Sequence, residues 1–244
     1  MKAKVLEKIN IENFYKKVAG FSPYPQQKEI WSALIENMTP LIIKAPTGAG
    51  KTEAIVLPFL AQFKHKCFPI APRLIYVLPM RVLINSIAKR ISEYAAKIAP
   101  NISVEVQHGE VPNNPFYIND IIVTTLDQFI YAYARVSQQV GRHLDVPAGS
   151  IASSLVVFDE AHMYRDEMTF ALMRAMLEIL YSSKIPFVVM TATMPDCLKE
   201  SLFENLKGNW VEVPYRSVDF KNDITWEYKK NESFEEKGIN KVIE

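Results

Sequence analysis

One stretch of this chain is built for phosphate chemistry: Ala45-Pro46-Thr47-Gly48-Ala49-Gly50-Lys51-Thr52. It follows an apolar run, Leu41-Ile42-Ile43, and precedes a segment that predicts a helix from about Lys51 to Phe63. Strand, glycine loop and helix in that order are what a phosphate-binding loop needs. Gly48 and Gly50 let the backbone curl without Cβ clashes. The N–H groups of the curl and of the helix start then point at one spot and favour an anion there. Lys51 adds a full positive charge able to reach β- and γ-phosphates, and Thr52 a hydroxyl able to ligate Mg²⁺. ATP with Mg²⁺ is therefore the expected ligand pair. Its phosphates are expected against Ala45, Thr47, Gly48, Ala49, Gly50, Lys51 and Thr52.

A second block, Asp159-Glu160-Ala161-His162, ends the apolar run Leu155-Val156-Val157-Phe158. Acids at the carboxyl end of a buried strand lie at the edge where open α/β sheets bind ligands. Burying both without a metal is costly. Asp159 is expected to hold Mg²⁺, through water, with Thr52 as the other protein ligand. Glu160 is expected to orient and activate an attacking water, and His162 to couple the nucleotide to what lies beyond it. A third block, Thr191-Ala192-Thr193-Met194-Pro195, ends the run Pro186–Met190.

These blocks must be carried by alternating strands and helices. Further strands are expected at Leu74–Leu78, Val104–Val106, Ile121–Val123 and Trp210–Val213. Helices are expected at Ile11–Val18 and from Pro25 to about Asn37. Another follows Arg81, with Leu83, Ile87, Ile91, Tyr94 and Ile98 on one face. Thr124 and Thr125 should cap a helix running to about Arg135. A helix at Glu167–Ser182 is expected to turn Met168, Leu172, Ala175, Met176 and Ile179 inward. Val136–Ser154, with Gly141, Pro147 and Gly149, reads as the least regular internal stretch. Near-continuous apolar strands alternating with helices predict an α/β fold, a three-layer sandwich around a central, mostly parallel sheet. The expected organisation is an N-terminal helix and proline-stiffened lead-in over 1–24, a nucleotide-binding domain over 25–215, and a polar linker over 216–244, with a possible strand at Ile224–Tyr228.

Composition narrows the setting. Hydrophobic residues make up 49% of the chain, enough for a sizeable core. A net charge of +1 provides no global field toward nucleic acid or membrane, so any such binding rests on local residues. Cys67 and Cys197 lie far apart and match no metal spacing. The apolar run Ala54–Ala61, interrupted by Pro58, is too short to span a bilayer. A soluble cytoplasmic protein without a membrane partner is the expectation.

With Ala45 where the strict loop pattern has Gly, the loop is the variant used by superfamily 1 and 2 helicases. The ordered set APTGAGKT, LPMR, DEAH and TAT resembles the first RecA-like, P-loop NTPase domain of a superfamily 2 DEAH-box helicase over about residues 20–215. Within that superfamily, TTLDQFI, FDEAHMY and the block Gln107-His108-Gly109-Glu110 resemble the CRISPR-associated helicase of type I systems. The resemblance implies that Gln27, with Gln26 as the alternative, reads adenine. It implies that the hydroxyls of Thr191 and Thr193 link the nucleotide to nucleic acid. Arg81, Thr124, Thr125 and Gln128 would lie on the nucleic-acid backbone. The implied partners are single-stranded DNA, a second RecA-like domain, a metal-dependent HD nuclease and a guide-RNA surveillance complex. Alternatives are another superfamily 2 motor, such as a restriction translocase or RNA helicase, or an idle nucleotide-binding adaptor.

The chain departs from that pattern in having no His-Asp dipeptide for the nuclease and no motif VI arginine pair. An arginine finger contributes on the order of 10³–10⁵ in rate in phosphoryl transfer. The 244-residue chain alone is thus predicted to bind ATP weakly and turn it over near background in a steady-state assay. Robust DNA-stimulated turnover would contradict this.

Overall fold

A computed structural model of the protein describes residue 6 and residues 9–109, 114–137, 140–164, 166–206 and 210–215. The strand expected at Ile224–Tyr228 and the linker expected over 216–244 lie outside the described residues. Among the described residues seven strands form one sheet: β1 (Leu41–Lys44), β2 (Arg73–Leu78), β3 (Val104–Gln107), β4 (Ile121–Thr125), β5 (Ser154–Phe158), β6 (Phe187–Thr191) and β7 (Val211–Pro214). Their order is β3-β4-β2-β5-β6-β1-β7, and every pairing is parallel. The β2, β4, β5 and β6 strands are buried along most of their length, which is why they read as unbroken apolar runs rather than alternating ones.

Side-chain alternation sends each strand into two separate cores. Leu74, Tyr76 and Leu78 of β2, with Leu155 and Val157 of β5, face α2 (Pro25–Ile35), α3 (Lys51–His65) and α4 (Arg81–Ile98). Ile75 and Val77, with Val156 and Phe158, face α5 (Leu126–Tyr133), α7 (Glu167–Ser182) and α8 (Asp196–Phe203). The result is the expected helix–sheet–helix sandwich. The helix α1 (Ile11–Val18) packs Phe14, Tyr15 and Val18 against Trp31 and Ile35 of α2 and Leu57 and Ala61 of α3. Asn10 caps it by accepting from the Asn13 N–H at 2.9 Å.

Some local expectations fail for physical reasons. Within Val136–Ser154 lies α6 (Asp145–Ala152). Its Pro147 falls in the first turn, where a missing N–H costs nothing, so the proline marks a helix start and not a loop. Thr125 stands at the N-cap of α5, but its side chain makes no capping bond. The inward face of α7 is Met173, Met176, Leu177 and Leu180; Met168, Leu172 and Ile179 are exposed. The sequence of α7 is apolar nearly all round, so periodicity leaves its rotation open. With Met173, Met176, Leu177 and Leu180 buried, Arg174 pairs with Glu204 at 2.7 Å and Asn205 donates to Glu178 at 2.7 Å.

That rotation is testable. Met176→Ala should cost about 2–5 kcal/mol in a urea unfolding experiment. Met168→Ala should stay within about 0.5 kcal/mol of the parent. The reverse ranking would mean α7 is turned the other way.

Candidate nucleotide site at the carboxyl rim of the sheet

Strand register places the chemistry. The β1–β6 pairing sets Lys44 opposite Thr191, and the β5–β6 pairing sets Phe158 opposite Val189. The loops that follow β1, β5 and β6 therefore emerge side by side. The Ala45 N–H donates to the Thr191 carbonyl at 3.0 Å, and Lys44 Nζ donates to the Met194 carbonyl at 3.0 Å. The glycine loop, the acid pair and the Thr191–Met194 turn thus share one rim.

The loop has the curl its glycines permit, with φ of 83° at Gly48 and 72° at Gly50. Gln27 braces it. Its Oε1 accepts from the Tyr24 N–H at 2.9 Å and its Nε2 donates to the Gly50 carbonyl at 2.9 Å. One amide hydrogen and one lone pair of Gln27 remain for a base, although the side chain is fully buried in this conformation. Gln26 is also buried, and neither end of its amide is hydrogen-bonded. Lys51 is buried, with Nζ donating to the carbonyls of Ala45 at 2.9 Å and Pro46 at 3.3 Å.

Lys51 Nζ also stands 3.7 Å from Glu160 Oε1. Glu160 adopts φ 51°, a left-handed conformation uncommon outside glycine. Its Oε2 lies 3.3 Å from His162 Nδ1. His162 Nδ1 is in turn 3.3 Å from Thr191 Oγ1. A continuous line of close contacts therefore runs from Lys51 through Glu160 and His162 to Thr191.

Asp159 is buried behind this line. Its Oδ1 accepts from the Glu160 N–H at 2.8 Å, and its Oδ2 accepts from the Tyr76 hydroxyl at 2.6 Å. Burial raises its carboxyl above the ordinary aspartate range, against the lowering effect of the Tyr76 hydrogen bond. A desolvated carboxylate of this kind gains from a nearby cation. Thr52 and Asp159 offer only oxygen donors, as Mg²⁺ prefers, and both meet the Tyr76 hydroxyl. Among the described residues no group of three or more His, Cys, Asp or Glu could hold a metal.

The cleft over these groups has a volume of about 410 Å³ and is also lined by Phe21, Tyr24 and Arg90. Sequence reasoning missed Arg90. It reaches the cleft because Glu53, buried directly after Thr52, accepts from Arg90 Nη1 at 3.3 Å and from the Tyr94 hydroxyl at 2.9 Å. Burial and the Glu53 charge push the Tyr94 hydroxyl up to about 12. Tyr76 was missed too, since in the sequence it is one more apolar position of a buried strand.

The residues expected on nucleic acid divide by exposure. Arg81 and Thr193 are exposed and Gln128 is half-buried. The Arg81 guanidinium lies over Gly109, where an added Cβ would stand 3.2 Å from Nη2, which gives the Gln107-His108-Gly109 block a steric role. Thr124, Thr125 and Thr191 are buried. The Thr124 hydroxyl donates to the Gln107 carbonyl at 2.7 Å, and that of Thr191 to the Thr193 carbonyl at 3.0 Å. In this conformation the Thr124 and Thr191 hydroxyls are engaged inside the protein, and the Thr125 hydroxyl is buried without a hydrogen bond. The glycines differ in what they tolerate. A Cβ at Gly50 collides with Gln27 Nε2, whereas one at Gly48 meets nothing within 4 Å. Gly50→Ala should therefore weaken nucleotide affinity and stability by about 1–3 kcal/mol, more than Gly48→Ala, in titration and unfolding experiments. Equal effects would remove the bracing role of Gln27.

Comparison with known proteins bears on the family and the fold. A family model described as DEAD/DEAH box helicase matches residues 24–201. The CRISPR-associated helicase Cas3 of Thermoproteus tenax is 35% identical over 171 residues, which cover 64% of this chain and 30% of that protein. A putative CRISPR-associated nuclease/helicase Cas3 of Methanocaldococcus jannaschii is 26% identical over 262 residues, covering 92% of this chain and 32% of the relative. The chain thus spans about a third of the length of these curated relatives. Among solved structures, that of T. fusca Cas3 with AMPPNP superposes with a TM-score of 0.60 at 21% identity, over 81% of this chain and 24% of the other, and shares the RecA-like fold. The phosphate loop, the acid pair and the extent of the match together place this chain in the DEAD/DEAH box helicase family.

Proposed function

We propose that this chain is the ATP-binding half of an ATP-dependent translocase that acts on single-stranded DNA in CRISPR interference. The observation that carries the reading is the 3.7 Å approach of Lys51 to Glu160 beside buried Asp159, at the rim where β1, β5 and β6 end. The resemblance of TTLDQFI and FDEAHMY to CRISPR-associated helicases, and the named Cas3 relatives, support the assignment to that system. No helix among the described residues is long and apolar enough to cross a membrane.

The chemistry follows from the positions of these side chains. Lys51 exchanges its contacts with the Ala45 and Pro46 carbonyls for phosphate oxygens. Glu160 holds the attacking water and takes its proton, the left-handed backbone setting its carboxylate toward the cleft. Mg²⁺, held by Thr52 and Asp159, would neutralise charge on the phosphates. His162 and Thr191 pass the state of Glu160 to the Thr191–Met194 turn, and so toward a second RecA-like domain and the DNA. Arg81, Gln128 and Thr193 offer the accessible polar groups for the DNA backbone. A separate HD nuclease and a guide-RNA surveillance complex are the partners in this reading.

Lys51→Ala should abolish nucleotide binding or turnover in the full enzyme. Glu160→Gln should retain ATP binding but lose at least about 100-fold in turnover, the lower end of a positioned base's contribution. Pre-steady-state binding and single-turnover hydrolysis on single-stranded DNA separate the two steps. Normal turnover by Glu160→Gln would remove its role. Stimulation by single-stranded RNA and not DNA would redirect the reading to an RNA motor.

A further inference from the structure

Tyr76 brings the only hydroxyl of β2 beneath the cleft, against two of the residues that line it, Thr52 and Asp159. The strand's other side chains on that face, Leu74 and Leu78, are aliphatic and packed in the same core. A buried tyrosine ring needs a partner for its hydroxyl. Here the partners are the two side chains read above as holding Mg²⁺. The hydroxyl donates to Asp159 Oδ2 at 2.6 Å and stands 3.4 Å from Thr52 Oγ1. With Oδ1 already taken by the Glu160 N–H, the Asp159 carboxylate is fixed in both position and rotation. A phenylalanine would fill the same volume, so packing alone does not explain the oxygen.

We propose that Tyr76 is a positioning residue for the metal site: its hydroxyl fixes the Asp159 carboxylate relative to Thr52 and so governs the part of nucleotide affinity that depends on Mg²⁺. The inference rests on the nucleotide-site reading above. Mg²⁺ demands near-ideal octahedral geometry, so a carboxylate free to rotate is a poorer ligand than a fixed one. Groups that orient a metal's ligands typically contribute about 10–100-fold in affinity.

The test is a titration of a fluorescent ATP analogue into the folded protein, in EDTA and across a Mg²⁺ series, with thermal melting as the check on folding. In Tyr76→Phe the affinity in EDTA should match the parent. The enhancement by Mg²⁺ should fall about 10-fold or more, with its midpoint moved to higher Mg²⁺. A merely structural tyrosine would instead lower both affinities alike, and that result overturns the proposal. So does an unchanged Mg²⁺ enhancement. Site-specific 3-fluorotyrosine at position 76 retains the hydroxyl and should restore the enhancement; it also supplies a readable variant should Tyr76→Phe not fold, and failure to restore overturns the proposal. In an Asp159→Asn background Tyr76→Phe should change nothing further, and a persisting loss counts against the proposal. If the parent protein itself showed no Mg²⁺-dependent binding, the nucleotide-site reading would fail together with this one. Loss of the Tyr76 effect in a parent that does bind Mg²⁺ and nucleotide defeats the inference alone.

Discussion

The structure turns on a problem of like charge. Two carboxylates, Asp159 and Glu160, sit next to each other at the end of a buried strand, and one of them is almost removed from water. Such an arrangement is stable only where positive charge or hydrogen-bond donors converge on it. The sheet order meets that need. With β5 and β6 inserted between β2 and β1, the Lys51 ammonium arrives from one direction and the Tyr76 hydroxyl from another. The same insertion sets β6 beside both β1 and β5, so the Thr191–Met194 turn touches the phosphate loop and the acids together.

A second consequence is that the nucleotide site is tied to the body of the protein by polar anchors rather than by packing alone. Gln27 holds Gly50, Glu53 holds Arg90 and Tyr94, and the Tyr15 hydroxyl donates to the Glu53 carbonyl at 3.3 Å. Through that last contact α1 is joined to the helix that starts at Lys51. The rim that faces the proposed partners is made differently. Arg81 and Thr193 are exposed there and Gln128 is half-buried, while the buried Thr124 and Thr191 hydroxyls are spent on the Gln107 and Thr193 carbonyls.

Much of this was legible in the sequence, and the parts that were not share a cause. The strands were readable because burial on both faces makes them continuous apolar runs, and the blocks were readable because loop chemistry is local. The rotation of α7 was not readable, because its polar positions, Arg174 and Glu178, find partners far along the chain at Glu204 and Asn205. Nor was α6, where Pro147 and Gly149 look like breakers until the first-turn position of the proline is known. Tyr76 and Arg90 were invisible for the same reason: each reaches the site only through a partner distant in sequence, Asp159 for one and Glu53 for the other. The exposure of Thr124 and Thr191 likewise depends on which strands flank them.

The central claim is that one triphosphate and its magnesium sit where Lys51, Thr52 and the acid pair meet. A crystal structure with a non-hydrolysable ATP analogue and Mg²⁺ tests it most directly. The account predicts Lys51 Nζ moved from the Ala45 carbonyl onto phosphate oxygen, the metal between Thr52 and Asp159, and Glu160 facing the terminal phosphate. A nucleotide bound elsewhere, or Lys51 still on the loop carbonyls with the analogue in place, would contradict it.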